Sequence, residues 1–569
     1  MVESILEYLS KQNIEVVNYN ENQITTKHKI DDVEFEILGR VEPLKSNFLP
    51  HFFLKDRKKY DILAHVGWDS SSNIGLMCNG SKDELSINYN AFDRVYYEAL
   101  LIELKMLKSI INDENENYRQ TIQEYLGHLD WVENKSKPTL LIMASPLDGI
   151  NELIIRSDIQ HSVGINKKII ATTKDYDNLS EKYCLVKNVK SIKRHTRTKA
   201  FMLKIDNIIL PPTPHTPINT WWLELLNAQT NDFLDLLNNK LAKVKSKTFW
   251  FICHFEFEND IFWFAVFCEN KRELFAPIIE EYMNNWDFSI QKVDIHNKQF
   301  LLPRAGGKID FQNKEIMLIG CGSVGTHIAN ELVLSGVGKF TLVDFDGFES
   351  KNLYRHTLSM DYDMINKAAA LSYELETKYP YTTITFLNKK LSDIEIKELQ
   401  SLDLIIIAIG NPTEERLFNE FMKDNNITIP VIYTWLEGYG VGGHAVYVHS
   451  DISSGCLQCN YINISTDEPI LNSNMNFLYP NQNVTKDLGG CGTLYLPYSH
   501  LDAKQTSLIT TRLAIESLSN KLDKSVRVSW RGNSEDAKSM NLNLTHRYYR
   551  FQTNMEKEEY KQECCFVCN

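Results

Sequence analysis

Three glycines, in the pattern Gly320-x-Gly322-x-x-Gly325, sit between an apolar run at residues 316–319 and a helical pattern at residues 326–334. A second apolar run, residues 339–343, ends on Asp344, 24 residues after the first glycine. Strand, glycine turn, helix and strand closed by an acid is the pattern of a nucleotide site. Glycine lets the backbone approach a phosphate, a helix N-terminus offers free N–H groups and a positive dipole end, and the acid suits ribose hydroxyls. The next residues narrow the chemistry: Asp344-Phe-Asp346 leads into Asn352-x-x-Arg355-His356, and Lys367 follows twelve residues after the arginine. A dinucleotide enzyme has no need of an Arg and a Lys here. An enzyme handling a triphosphate does, to neutralise charge on the phosphates.

Sulfur is the second chemical theme. Cys456-x-x-Cys459 and Cys565-x-x-Cys568 can each place two thiolates on one metal, and together they complete a tetrahedral four-cysteine zinc site. Their separation, just over a hundred residues, exceeds that of a compact ribbon, and the bare pattern leaves open that Cys564, Cys565 and Cys568 fray at the end of the chain. Between the pairs, Cys491 is flanked by Gly490 and Gly492, a setting poor for core packing and good for presenting a nucleophile. Cys321, inside the glycine turn, suits backbone packing. Cys78 follows a short apolar run and precedes Asn79-Gly80, with His65 upstream. A lone loop cysteine is more often inert than reactive.

The elements that must position these groups fall into three regions. Residues 1–137 form a small α+β unit, with a helix at residues 4–11, strand-like segments at residues 23–29 and 33–39, and a long helix at residues 92–111 whose Leu100, Leu101, Leu104, Leu107 and Ile110 recur at helical spacing. Residues 138–300 are mixed α/β, with an irregular loop marked by Pro211, Pro212, Pro214 and Pro217 and a hairpin at residues 248–268 turning at Glu258-Asn259-Asp260. Its aromatics are core, Cys253 and His254 lack partners at ligand spacing, and the region is a linker. Residues 301–569 hold the nucleotide motif, with a further buried parallel strand at residues 404–409 ending on Gly410-Asn411, where ligands of open sheets collect. Arg304, at the entry, leaves two readings open, a phosphate contact across a dimer or a solvated side chain.

At 569 residues the chain has room for about three or four domains. Its net charge of −13 argues against non-specific nucleic-acid binding and against an anionic membrane surface. No apolar run nears the ~20 residues of a membrane helix, and the first residues carry acids rather than a signal-peptide core. A cytoplasmic setting is expected, where eleven cysteines point to metal or catalysis before disulfides.

The residues GCGSVG, LVDFD, NLYRH and NK resemble the adenylation domain of the ThiF and MoeB family and of ubiquitin-activating enzymes. The resemblance implies that Asp344 holds the ribose, that Asn352, Arg355 and Lys367 hold the phosphates, and that Cys456, Cys459, Cys565 and Cys568 bind structural Zn2+. It implies that Cys491, on a crossover loop, captures the acyl group of an adenylate as a thioester; AMP is a good leaving group for a thiol of ordinary pKa, about 8.5. Family members carry an Asp for Mg2+ where this chain has Gly410, so the ion's ligand falls to Asp346 or another carboxylate, or activity is lost. The order Pro50, His65, Gly75-Leu-Met-Cys78 and a long helix resembles bacterial ubiquitin-conjugating domains, which implies a thioester on Cys78. Where that family has His-Pro-Asn this chain has His65-Val66-Gly67, so oxyanion stabilisation must come from a backbone N–H or another side chain.

The three regions in this order resemble the fused conjugating and activating ligases of bacterial CBASS anti-phage operons. The resemblance implies a multidomain α/β protein: an N-terminal ubiquitin-conjugating-like α+β domain, an α/β linker domain and a C-terminal Rossmann-like adenylation domain. It implies ATP, Mg2+ and Zn2+ as cofactors and a homodimer. The implied partners are the C-terminal tail of a cGAS/DncV-like nucleotidyltransferase and an acceptor protein amine. Two other classes stay open: an activator of a sulfur-carrier protein with Cys78 idle, and a non-catalytic nucleotide-binding scaffold.

Overall fold

The computed structural model describes residues 1–41, 49–68, 73–78, 88–130, 132, 139–160, 167–173, 199–463, 465–486 and 494–568. They fall into two compact units, one up to His296 and one from Asn297 onward. The second begins ahead of Leu301 because Asn297 caps the helix Lys298–Arg304, its side chain accepting the Phe300 N–H at 2.9 Å. Among the described residues no helix is long and apolar enough to cross a membrane.

In the first unit, strands Glu15–Tyr19, Gln23–Ile30, Val33–Arg40, Phe52–Lys55 and Ile74–Leu76 form one antiparallel sheet in that order. Helices Val2–Lys11 and Phe92–Ile111 bury Ile5 and Leu9, and Tyr96, Leu100, Leu107 and Ile110, in its core, the 3.6-residue stripe that aims one face inward. The shorter helix Glu114–Gln123 follows, capped by Asp113. Farther along the same unit, Lys245–Phe257 and Asp260–Phe275 pair as a long hairpin in register Phe257↔Asp260, with Glu258 at φ 55° in the turn. Alternation sends Phe249, Phe251 and Phe255 to one core and Trp250 and Ile252 to another. Among the described residues His254 belongs to no cluster that could hold a metal, and its Nε2 meets the Leu147 carbonyl at 3.0 Å.

The second unit is built on an eight-stranded sheet. Strands Thr383–Leu387, Lys339–Val343, Glu315–Ile319, Leu404–Ile407 and Val431–Leu436 lie side by side in parallel, and Gly442–Val448, Val526–Arg531 and Met555–Glu559 extend the sheet antiparallel. Ile316 and Leu318 point to one core, Met317 and Ile319 to the other, as continuous apolar runs must when both faces are covered. Strand Glu315–Ile319 has its sequence neighbour on one side and Leu404–Ile407 on the other. That is the switch point where an open parallel sheet opens a crevice for ligand. The fold is mixed α/β with a Rossmann-like core.

Candidate functional site

The turn after Glu315–Ile319 is shaped by backbone sterics. Gly320 has φ 94°, and a Cβ there would lie 2.6 Å from the Ala408 carbonyl oxygen; a Cβ on Gly325 would lie 1.8 Å from the Gly320 oxygen. A Cβ on Gly322 would meet nothing within 4 Å. Two glycines are thus demanded by packing, and the third leaves an open cradle at a helix N-terminus. The helix itself runs Ser323–Leu334, with Gly322 as N-cap and no side-chain cap. It starts three residues before the periodic pattern at 326–334 because the glycines carry no apolar signal.

Polar groups brace this turn from outside. Asp344, at the end of strand Lys339–Val343, accepts the Cys321 N–H at 2.7 Å and the Asp346 N–H at 2.9 Å; burial pushes its carboxyl above the usual range. His356 donates from Nε2 to the Cys321 carbonyl at 2.7 Å and accepts the Leu358 N–H on Nδ1 at 3.2 Å, which sets its tautomer. Burial lowers it to about 4, so it is neutral. Ser323 Oγ donates to the Arg355 carbonyl at 2.9 Å. The sequence patterns marked Asp344; the bracing by His356 and Ser323 depends on chain segments meeting in space.

Beyond the turn lies a cavity of about 700 Å3 lined by Gly322, Asn352, Arg355, Lys367 and Gly410 among others. Lys367 opens the helix Lys367–Lys378, its side chain only 12% exposed, and pairs with Asp346 at 3.0 Å. The Arg355 guanidinium lies 5.6 Å over the Tyr498 ring. Asn352 sits in the turn Ser350–Arg355, where its Oδ1 accepts the Glu349 N–H at 3.2 Å. A cavity with these cations, an amide and an open glycine cradle fits a polyphosphate. Gly320, Gly325, Asp344 and Asp346 flank the cavity rather than line it. Arg304 stands apart from its lining, 5.0 Å over the Phe300 ring.

At Gly410, φ 66°, the backbone N–H donates to Glu415 Oε1 at 3.0 Å. Glu415, from helix Pro412–Asp424, is buried and lines the cavity. Burial pushes it up to about 8, so it is protonated at neutral pH and is a poor ligand for a hard cation. Asp346 is exposed with one oxygen on Lys367; of the two it is the carboxylate that fits Mg2+. No pattern in the chain marks Glu415, which reaches the cavity only through the turn of its helix.

Cys491 lies outside the described residues. On either side of it, Lys486 and Tyr495 exchange backbone hydrogen bonds at 2.9 Å, and Val484 and Leu494 line the cavity. The four cysteines of the two CxxC pairs meet. Cys456 and Cys565 are 3.7 Å apart at sulfur, Cys459 and Cys568 are 3.4 Å apart, and all four atoms lie within 4.8 Å of one another, buried. Zn–S bonds of ~2.3 Å in a tetrahedron put sulfurs about 3.8 Å apart, so the donor set and its spacing fit zinc.

In the first unit, Cys78 is exposed two residues after the end of strand Ile74–Leu76. Its N–H donates to the His65 carbonyl at 2.9 Å, and Val66 bridges Met77 antiparallel. That pairing sets His65 beside the cysteine.

Residues 297–487 match the ThiF family. The chain is 33% identical over 146 residues, 25% of its own length and 26% of the relative's, to the ATP-dependent ubiquitin transferase-like protein Cap2 of Pseudomonas aeruginosa. It is 28% identical over 214 residues, 36% of its length and 35% of the relative's, to the protein of the same name from Vibrio cholerae. The sulfur carrier protein adenylyltransferase of Thermus thermophilus matches at 26% over 175 residues, 30% of this chain and 64% of that protein. The chain spans about a quarter to a third of the length of the two Cap2 relatives.

Proposed function

From a ThiF-type adenylation domain on a Rossmann-like sheet, we propose that the protein is an ATP-dependent ligase. It joins the C-terminal carboxylate of a protein partner to an amine, in anti-phage defence. The partner is a cGAS/DncV-like nucleotidyltransferase. One observation carries the reading: Asn352, Arg355, Lys367 and the open cradle at Gly322 share a cavity that is also lined by Val484 and Leu494, from the two chain segments leading to Cys491.

The chemistry proceeds by four displacements. A carboxylate oxygen of the partner attacks the α-phosphorus of ATP and the bond to the β-phosphate oxygen breaks, releasing pyrophosphate. Arg355 and Lys367 stabilise the charge that gathers on the phosphate oxygens, Asn352 orients them and Asp344 holds the ribose. Mg2+, when bound, neutralises phosphate charge, and Asp346 is the residue that would hold it. The Cys491 sulfur attacks the acyl carbon and AMP leaves. The Cys78 sulfur attacks in turn and Cys491 leaves as thiolate. Finally an amine attacks, loses a proton to solvent, and Cys78 leaves. Carrying both sulfurs on one chain raises their effective concentration. The four-cysteine cluster is structural, tying the segment that holds Cys565 and Cys568 to the adenylation domain.

ATP–pyrophosphate exchange with the partner tail present tests the first step: Lys367→Ala should lower it about 100-fold or more, and Cys78→Ala should leave it unchanged. A non-reducing gel should then show an ATP-dependent adduct that dithiothreitol removes, absent in Cys491→Ala. The same adduct in Cys491→Ala would overturn that assignment. A second reading, activation of a sulfur-carrier protein, has the Thermus match in its favour. A thiocarboxylate product, or full conjugation by Cys78→Ala, would select it.

A further inference from the structure

Val66-Gly67, after His65, departs from the conjugating-domain pattern, and the surroundings of His65 say what the histidine does here. Helix Glu114–Gln123 and the residue just past it present Asn117, Gln120 and Glu124 at spacings of three and four, one face of a helix. All three reach the loop that holds His65. Asn117 accepts the Ala64 N–H at 2.9 Å and donates to the Ile62 carbonyl at 2.8 Å. Glu124 accepts the His65 backbone N–H at 2.8 Å through one oxygen and meets ring Nδ1 at 2.5 Å with the other. Gln120 Oε1 lies 2.9 Å from ring Nε2.

The amide orientation of Gln120 is set by its other end, where Nε2 donates to Glu116, itself held ionised at about 2 by Arg119 and Gln120. The atom facing the ring is therefore the carbonyl oxygen, which only accepts. With a carboxylate on one ring nitrogen and a carbonyl oxygen on the other, both nitrogens must carry protons. The ring is an imidazolium, and Cys78, placed opposite His65 by its N–H bond to the His65 carbonyl and the Val66–Met77 bridge, can meet it only as an acceptor that shares one of these N–H groups. We infer that His65, clamped as a cation by Glu124 and Gln120, holds the exposed Cys78 sulfur as a thiolate and is the positioning group that readies it for attack.

The inference rests on Cys78 as acyl carrier only for its use. An imidazolium beside a thiol lowers the thiol's pKa from about 8.5 into the range of roughly 3.5–7.5. In thioester exchange that thiolate attacks the acyl carbon, one C–S bond forms, the donor C–S bond breaks and the donor sulfur leaves as thiolate, so no proton need move. Contact with Cys78, then with Glu124, raises His65 to about 10, so the pair persists across neutral pH. The other ionisable group beside Glu124 is His128, which burial lowers to about 4 and which is therefore neutral and does not compete. Arg57, which acts on His128, is turned to the Tyr60 and Asp61 carbonyls.

The test is the pH profile of Cys78 alkylation by iodoacetamide in the full chain, read by mass spectrometry of the peptide carrying Cys78, with the exposed Cys564 as internal reference. The expected midpoint for Cys78 lies below about 7. Glu124→Gln keeps the shape and an acceptor but removes the charge; it should raise the midpoint by about one unit, a tenfold loss of rate at pH 6. His65→Gln should return the midpoint to about 8.5. A wild-type midpoint of about 8.5, or a low one that neither substitution moves, overturns the inference. The wild-type profile decides even where a variant fails to fold. Alkylation needs neither ATP nor partner. A low midpoint without an ATP-dependent adduct would therefore sink the proposed function and leave the ion pair standing, and an adduct with an ordinary midpoint would do the reverse.

Discussion

The glycine turn of the second unit and the cysteine loop of the first are both short segments at the ends of strands, yet they are held by different means. At Gly320 and Gly325 the constraint is backbone against backbone, with no room for a single Cβ. At Cys78 it is side chain against side chain, supplied by Gln120 and Glu124 more than forty residues on. A site for phosphate needs bare N–H groups and space, which backbone shape provides. A site for a reactive sulfur needs a tuned charge, which backbone cannot provide and a clamped histidine can. The first kind of site tolerates almost no substitution in its frame; the second can be detuned one isosteric change at a time.

The four-cysteine cluster extends the comparison to sulfur held by sulfur, and the largest effect is expected there. Cys459→Ser should cut bound zinc from one per chain to near zero by elemental analysis. Structural zinc binding is worth on the order of 10 kcal/mol, so the second unit should melt at a clearly lower temperature. Cys456, Cys565 and Cys568 should become open to alkylation while the Cys78 profile stays put. Unchanged zinc content would break the contrast between buried ligand sulfurs and an exposed reactive one.

The glycine turn sharpens the comparison from its other side. Gly325→Ala must displace the Gly320 carbonyl and should cost about 3 kcal/mol in urea unfolding, the range of overpacking. Gly322→Ala meets open space and should leave unfolding within about 0.5–1 kcal/mol, the cost of Gly→Ala differences in ordinary backbone, yet lower ATP affinity by at least about tenfold, because the methyl group stands where phosphate approaches. Equal effects of the two substitutions on stability would show that the turn is not divided into frame and cradle.

The smallest effects are in pH. Burial lowers His28 and His128 in the first unit and His327 and His356 in the second to about 4. The unfolded chain binds more protons at these positions between about 6.5 and 4, so both units should lose stability as pH falls through that window. His65 is shifted the other way, to about 10. Its contribution is complete below about 6.5 and is lost as pH rises through about 10. The difference in urea midpoint between wild type and His65→Gln should therefore be full at pH 6 and shrink at pH 10. A difference that grows with pH would contradict the imidazolium.

Much of the second unit is legible in the chain. The strands Glu315–Ile319 and Lys339–Val343 are apolar runs covered on both faces, and their turn is a glycine pattern that few other structures need. The run at residues 404–409 ends as a strand at Ile407, because the chain turns toward Gly410. Helix Phe92–Ile111 follows from its leucine spacing. Glu415, Gln120 and Glu124 carry no such signal, and the motif that contains His356 does not say what its ring braces. Each is an ordinary polar residue until a distant segment packs against it.

Local order therefore came from the sequence: periodicity, glycines and cysteine pairs act over a few residues, and their physics is complete within that span. Protonation and reactivity came from tertiary structure. Whether Glu415 is neutral, His356 uncharged or His65 a cation depends on burial and on partners brought together by folding, and those energies exist only at distances of a few ångströms.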